Sequence, residues 1–429
     1  LKPEAFLASL INYEKIVKPD YDFKLNSFKK FLKSIQNPEQ KLNNVVLIAG
    51  TKGKGSTATF IESCLRACGL RTALYTSPHL LSLQERVKVN HRPISQKDLN
   101  RLIKQVQFQA EKYKITFFEA MTAIAFLYFL EKKVDYTILE VGLGGRLDAT
   151  NVANPRVSVI TRIGYDHLNI LGKTLGSIAR EKAGIIHAKS LVVISQQKPT
   201  ALNTILKKIN TVKNKYYYTA DNLEVKDVVC DLSGSSFTLK EHNKTLDSYQ
   251  IKPLGKHQIE NALTGWAVLN HLKIRDKRIT DIGIKKGLVN AQISGRCQII
   301  SRKPLTIIDS AHNPESAQSL SDVIKDIIKQ KPIIVFGSSQ GKLVRQMLNI
   351  LSPNARKFIL TQSQNPRHIS VKDLALICKQ KHISFETSGS VIKAIELARQ
   401  LSKNKIPIII TGSFYIAGEA LAYYRNIKN

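Results

Sequence analysis

The sequence predicts an α/β protein of two domains, each a largely parallel sheet with helices on its faces. Three observations lead there. The 429 residues suit two or three domains at roughly 100–200 residues each. Strand-like apolar runs alternate with helix-patterned segments, the order that parallel sheets need for their crossovers. The alternation breaks once, at about residues 215–253, and resumes near 299.

Residues 44–49 (NVVLIA) read as a buried strand, followed by a glycine turn and an apolar-periodic helix over 56–67 that Gly69 stops. A short strand follows at 71–75, then helical patterns over Gln96–Lys112 and 119–132, and β-rich runs over 136–141 and 157–161. A helix over 174–183 comes next. Between 215 and 253, β-prone pieces with Ser-Gly and Asn-Lys turns (DLSGSSFTLKEHNKTL) predict a small antiparallel insertion, and a helix over 258–272 follows. The junction is expected at 294–298, which divides the chain into domains 1–293 and 299–429. Strands in the second domain fall at 305–309, Ile333–Phe336, 358–361 and 406–411, with helices near 316–329, 343–351, 371–379 and 391–401.

Composition narrows the class. With 43% hydrophobic and 23% charged residues, a sizeable core forms and disorder is excluded as the main state. No apolar run approaches the ~20 residues of a membrane span. The longest, 120–130, contains Thr122 and reads as a buried helix. The first residues show no signal-peptide apolar region and no Met. Five cysteines (64, 68, 230, 297 and 378) are an odd number. They suggest reduced thiols in the cytoplasm, with an organellar stroma or matrix as the alternative. Cys64 and Cys68 lie one helical turn apart without a second Cys/His pair nearby, so they read as core packing and not as zinc ligands. Lys+Arg is 65 against 33 Asp+Glu, a net charge of +32. That excess fits a nucleic-acid or anionic-membrane partner, or a lysine-rich solvated surface. The lysines are scattered, without a dense basic block among aromatics, which favours the surface and no nucleic-acid partner.

The sharpest local signal is Gly50-Thr51-Lys52-Gly53-Lys54-Gly55-Ser56-Thr57, between a strand and a helix. Close glycines let backbone N–H groups turn toward one anion, and the helix N-terminus adds partial positive charge. Lys54 suits the terminal phosphates of a nucleotide, and the hydroxyl of Ser56 or Thr57 suits Mg²⁺ or phosphate. Glu140 closes a hydrophobic strand ahead of Gly142, Gly144 and Gly145, a place for a carboxylate beside phosphate and metal. His167, in Gly164-Tyr165-Asp166-His167, reads as a metal ligand or as a hydrogen-bonding core residue. Arg180-Glu181-Lys182, taken alone, reads as a solvated helix face. In the second half Asp309 and His312 stand at a strand end before Asn313-Pro314, Arg296 is placed to clamp a phosphate on domain closure, and Asn261 suits an adenine edge.

Together these pieces resemble the folylpolyglutamate synthase/dihydrofolate synthase family within the Mur ligase superfamily. The matching segments are GTKGKGST (50–57), LYTSPHL (74–80), ERVKVNHRPIS (85–95), TFFEAMT (116–122), EVGLGGRLDATNV (140–152) and GYDHLNILGKTLGSIAREKAGII (164–186). They continue with GKHQIENA (255–262), SGR (294–296), DSAHNP (309–314), TQSQNPR (361–367) and TGSFYIAGEA (411–420). The resemblance implies an N-terminal P-loop ATPase domain of Mur-ligase type, with the parallel sheet and antiparallel insertion, and a C-terminal Rossmann-like α/β domain. It implies a monomeric, ADP-forming ligase that adds L-glutamate to dihydropteroate or to the γ-carboxylate of folates, through an acyl phosphate. ATP would contact Gly50, Thr51, Gly53, Lys54, Gly55, Ser56, Thr57, Asn261, Arg296, Asp309 and His312, with Ser413 nearby. Ser77 and Glu140 would hold one Mg²⁺, and Glu140, His167 and a carbamylated Lys182 a second. Phe118, Glu119, Ala120 and Met121, with Leu147, Asp148 and Ala149, match the pteroate-binding stretches.

Three positions depart from the family pattern. Lys52 replaces the usual Asn of the loop, and Tyr165 replaces a Leu before Asp166-His167. The second-domain loop 337–343 (GSSQGKL) lacks the acidic pair of G-x-x-x-D-K-D. The alternatives are a Mur ligase acting on a UDP-sugar acid, and a basic P-loop ATPase that binds nucleic acid.

Overall fold

The computed structural model describes residues 2–12, 25–242 and 244–428. Its first sheet has eight strands: β1 (Val45–Ala49), β2 (Thr72–Tyr75), β3 (Val87–Val89), β4 (Arg92–Pro93), β5 (Tyr136–Glu140), β6 (Val157–Ile160), β7 (Leu191–Ile194) and β8 (Tyr216–Tyr218). Their order is β4-β3-β2-β5-β1-β6-β7-β8. The six strands from β2 to β8 in that order run parallel, and β3 and β4 add an antiparallel edge. Runs such as VVLIA and YTILE are buried at every position, as strands covered on both faces must be. Because β1 lies between β5 and β6, the loops leaving these three strands emerge side by side. Those loops carry the glycine turn, the segment after Glu140 and Thr161–His167.

A three-stranded antiparallel sheet follows: β9 (Leu223–Asp231), β10 (Gly234–Glu241) and β11 (Lys244–Ile251). The expected insertion is therefore present, with one correction. Tyr216–Tyr218 is not part of it but the parallel edge of the first sheet, since Tyr217 and Tyr218 bury against the core. Asn243, in the expected Asn-Lys turn, lies outside the described residues.

The third sheet comprises β12 (Gln298–Arg302), β13 (Leu305–Ile308), β14 (Ile333–Phe336), β15 (Lys357–Leu360), β16 (Phe385–Thr387) and β17 (Ile408–Thr411), in the order β12-β13-β17-β14-β15-β16. Only β12 is antiparallel. The helix expected over 316–329 starts earlier, at Pro314, because Asn313 caps it and proline suits the first turn. Its last turn is a separate π-helical segment, Ile324–Ile328.

The helix Lys54–Ala67 that opens at the glycine turn is held by close packing. Gly287 and Gly283 of the helix Asp281–Asn290 lie against the Cys64 and Cys68 backbone, where a Cβ would overlap. The Ser63 hydroxyl donates to Gly287 O at 2.7 Å, and the buried Cys64 thiol approaches Ile284 O at 3.3 Å. Both cysteines thus pack a helix interface, as expected. The helix Phe117–Glu131 is buried along most of its length, and no described helix is long and apolar enough to cross a membrane. Gly287→Ala is expected to lower stability by about 1–3 kcal/mol, the scale of overpacking a tight contact. A fall in the urea midpoint at unchanged slope would report it.

Candidate active site

The site is built on the loops that leave β1, β5 and β6. Gly53 has φ +85° and lies directly under the Asn261 amide, and Gly50 lies under the Thr161 hydroxyl; a side chain at either would overlap. The loop is anchored by Thr51 and Lys52 N–H groups, which donate to Arg162 O at 2.9 and 3.1 Å. The Thr51 hydroxyl donates to Gly164 O at 3.1 Å. Ser56 and Thr57 are buried in the first turn of the following helix. This is the strand–turn–helix cradle that exposes backbone donors to an anion.

Glu140 sits at the end of β5 with 5% of its surface exposed. It accepts from Ser77 N at 3.1 Å and lies beside Gly55. Burial raises its pKa; the Lys54 ammonium, then the Ser77 N–H, Arg296 and Arg86, oppose this. The next loop is shaped by Asp148, whose carboxylate accepts from Gly142 N, Leu143 N, Thr150 N and the Thr150 hydroxyl at 2.6–3.0 Å. Asn151 then ties Arg146 O to Gly184 O. Arg146 pairs with Glu181. The segment after β5 and the end of the helix Leu175–Ala183 therefore form one unit.

That unit places Lys182. Far from a solvated face, Lys182 is 5% exposed and its ammonium donates to Gly50 O at 2.8 Å. The triplet is split by the helical turn, with Glu181 turned toward Arg146 and Lys182 toward the loop. Burial, then the nearby Lys54 charge, lowers the Lys182 pKa to about 7. His167 adopts left-handed backbone, φ 50°, with its ring 3.9 Å from Asp166. Removal from water lowers its pKa to about 4; Asp166 opposes this, and Lys342, Lys182 and Lys54 reinforce it. The imidazole is thus neutral at physiological pH, with a lone pair free for a metal. Asp166 is held below the usual carboxylate range: burial opposes, but His167, Lys342, His312 and Lys52 outweigh it.

The third sheet's loops face this cradle. Arg296 is half-buried, its guanidinium 5.0 Å from the Phe414 ring, and the His312 ring lies 5.0 Å from the same ring. The Asp309 carboxylate accepts from Cys297 N and Ala311 N, both at 2.8 Å. The Ser413 hydroxyl accepts from Ile416 N. Asn261 is turned onto the phosphate loop and donates to Gln258 at 3.0 Å. At the carboxyl ends of β14, β15 and β17, the hydroxyls of Ser338, Thr361 and Thr411 are buried without a hydrogen-bond partner.

Of the expected pteroate stretches, Phe118 is half-buried and stands over Gly142, and Leu147 is also half-buried. The Glu119 carboxylate is engaged as a capping box by Thr116 N and Oγ1 at 2.7 and 2.8 Å. Ala120 and Met121 are fully buried, and Ala149 is 4% exposed. Their side chains support the site from behind. Reasoning on the sequence assigned no role to Arg86, which is wholly buried, donates to His79 Nδ1 at 2.9 Å and lies 5.3 Å from the Phe117 ring. An arginine opening a strand directly after the Ser77 loop was the available signal. The loop 337–343, without the acidic pair, is held by its neighbours: Ile369 N donates to Ser338 O at 2.9 Å and Gln340 N to Arg367 O at 2.7 Å. Gly341 takes the turn at φ 76°.

No three His, Cys, Asp or Glu side chains converge as a metal centre among the described residues. Of the expected metal positions, Ser77 bonds Glu140 through its N–H, Lys182 bonds Gly50 O, and His167 lies beside Asp166.

Residues 48–269 match the Mur ligase middle domain, and residues 295–414 the Mur ligase glutamate ligase domain. The chain is 34% identical over 405 residues to the dihydrofolate synthase/folylpolyglutamate synthase of Bacillus subtilis, covering 92% of this chain and 93% of that protein. It superposes on E. coli FolC in complex with DHPP and ADP with a TM-score of 0.87 at 25% identity, over 100% of this chain and 99% of that one. The bifunctional folylpolyglutamate synthase/dihydrofolate synthase of Yersinia pestis, complexed with AMPPNP and Mn ion, gives 0.87 at 28% identity, over 99% and 98%.

Lys182 sets a pH dependence. Unfolded, a lysine titrates near about 10.4; here it titrates at about 7. Between those values the unfolded chain holds the extra proton, so this group makes stability rise with pH from about 7 upward, and that gain is absent below it. In CO₂-free buffer the stability difference between wild type and Lys182→Met is expected to shift in favour of wild type from pH 7 to pH 9. Urea unfolding at both values measures it.

Proposed function

The chain belongs to the dihydrofolate synthase/folylpolyglutamate synthase family of Mur ligases, and from that membership we propose the reaction, the substrates and the residues that serve it. ATP binds the phosphate loop, with Gly50, Gly53, Gly55, Ser56 and Thr57 supplying donors to its phosphates and Thr51, whose own donors anchor the loop to Arg162 O and Gly164 O, shaping it beside them. Asn261, Arg296, Asp309 and His312 contact the rest of the nucleotide. The acceptor is dihydropteroate or a folate whose terminal γ-carboxylate points at the loop, with its ring system against Phe118 and Leu147. The γ-phosphoryl group passes to that carboxylate, giving an acyl phosphate and ADP. The α-amine of L-glutamate then attacks the acyl carbon, the resulting tetrahedral intermediate expels phosphate, and an amide remains.

The observation that carries this reading is the unbalanced positive charge at the loop. Lys54 and Arg296 face the buried carboxylate of Glu140, and Lys182 adds a further ammonium beside Lys54, with Asp166 and Asp148 as its acidic neighbours. Lys54 neutralises charge on the transferring phosphoryl group. Arg296, carried by the second domain, completes the clamp on closure.

Two Mg²⁺ ions fit the donor set, one on Ser77 and Glu140, the other on Glu140, His167 and Lys182. The fit requires Lys182 to become an anionic oxygen ligand. Its amine, half-neutral near pH 7 and without a carboxylate partner, suits carbamylation by CO₂. Bound there, the cations supply charge stabilisation to phosphoryl and carboxylate oxygens. We further propose domains at 1–293 and 299–429, a monomer, and a cytoplasmic enzyme without a nucleic-acid partner.

The test is Mg²⁺-dependent phosphate release from ATP with L-glutamate, with 7,8-dihydropteroate and tetrahydrofolate in parallel. Turnover with either acceptor supports the reading and assigns the branch; no release with either rejects it. Lys54→Met is expected to cut kcat by about 10²–10³-fold, the scale for losing one donor to developing charge. With ¹³C-bicarbonate, a carbamate carbon resonance is expected in wild type and absent in Lys182→Ala.

A further inference from the structure

The phosphate loop touches the second domain at one charged contact. The Lys52 ammonium donates to the Asn313 side-chain oxygen at 2.5 Å, across 261 residues of sequence. That oxygen also accepts from Ser316 N at 3.0 Å and from the Ser316 hydroxyl at 2.8 Å, so it is the cap of the helix Pro314–Val323. The Asn313 amide nitrogen is buried without a partner, so the residue is fixed from one side alone. Next to it, Glu315 packs its carboxylate onto Gly164, leaving no room for a side chain there. Asp166 from the first domain and Glu315 from the second attract the Lys52 charge, while Arg296 and Lys54 repel it. Burial lowers its pKa to about 8, still mostly protonated at pH 7.

We propose that Lys52 is a positioning residue, a latch that ties the phosphate loop to the capping Asn313, so that domain closure and ordering of the loop occur together. The loop is otherwise held within the first domain, by Arg162 O, Gly164 O and the Lys182 ammonium on Gly50 O. Lys52 adds the link to the second. The shorter Asn usual at this position in the resembling family lacks the reach and the charge of a four-carbon ammonium. The inference rests on reading this cleft as a nucleotide site, but its physical content is a contact between two domains.

The test combines scattering and nucleotide binding. Lys52→Met is expected to give a larger radius of gyration than wild type without ligand, and to weaken ADP binding by about tenfold, the scale of one charge-assisted hydrogen bond. Lys52→Asn follows it, and Lys52→Arg retains most of the wild-type behaviour. Asn313→Asp keeps the helix cap and offers a carboxylate to Lys52. It is expected to tighten ADP binding in the wild-type background and to give no gain in the Lys52→Met background. Independent effects of the two substitutions would overturn the latch. So would a Lys52→Met protein with wild-type dimensions and ADP affinity but reduced kcat, since Lys52 would then act on the reacting phosphoryl group. Scattering needs no substrate. Failure of both folate acceptors in the wild type would reject the assigned reaction and leave the latch to be decided by dimensions and coupling.

Discussion

Excess positive charge around one glycine turn is the constraint on which the rest of this structure depends. The Lys54 ammonium lies close enough to disturb that of Lys182, and Lys182 is buried. An unpaired buried cation is costly. The chain lowers that cost by making Lys182 partly neutral and by lending it the Gly50 carbonyl. What remains is a cradle whose excess charge suits a polyanion, and the proposed nucleotide is one.

The architecture explains how these charges meet. Loops from three adjacent parallel strands converge because β1 lies between β5 and β6. Close contacts at glycines replace side chains where backbone must approach: Gly53 under Asn261, Gly142 under Phe118 and Gly145 against the Lys182 backbone. The second domain reaches the same place from the opposite side. Leu80, in the loop that carries Ser77, packs on Gly295 of the junction and on Gly418 of the last helix. A rigid floor and a docked partner domain thus hold groups from distant parts of the chain near one point.

Much of this was legible in the sequence. Strands β1, β5 and β6 and the glycine turn were visible, because fully buried parallel strands have a strong apolar signature. So was the antiparallel insertion. What escaped were features that depend on burial. Lys182 is indistinguishable from a surface lysine until the helix docks on the loop after β5. The use of Asp148 and Glu119 as internal caps depends on which N–H groups are nearby, and spacing alone leaves this open for Asp148. Tyr216–Tyr218 was assigned to the wrong sheet, since a three-residue edge strand has too short a pattern to show its partner. The Lys52–Asn313 contact joins residues whose proximity follows only from the packing of two domains.

The central claim is that the acceptor carboxylate is phosphorylated in this cleft before glutamate attacks. The most direct measurement uses an acceptor with ¹⁸O in the reacting carboxylate, followed by mass spectrometry of the phosphate released during ligation. The account predicts one ¹⁸O transferred to phosphate per amide formed. Phosphate free of label, with amide formed at the normal rate, would contradict it.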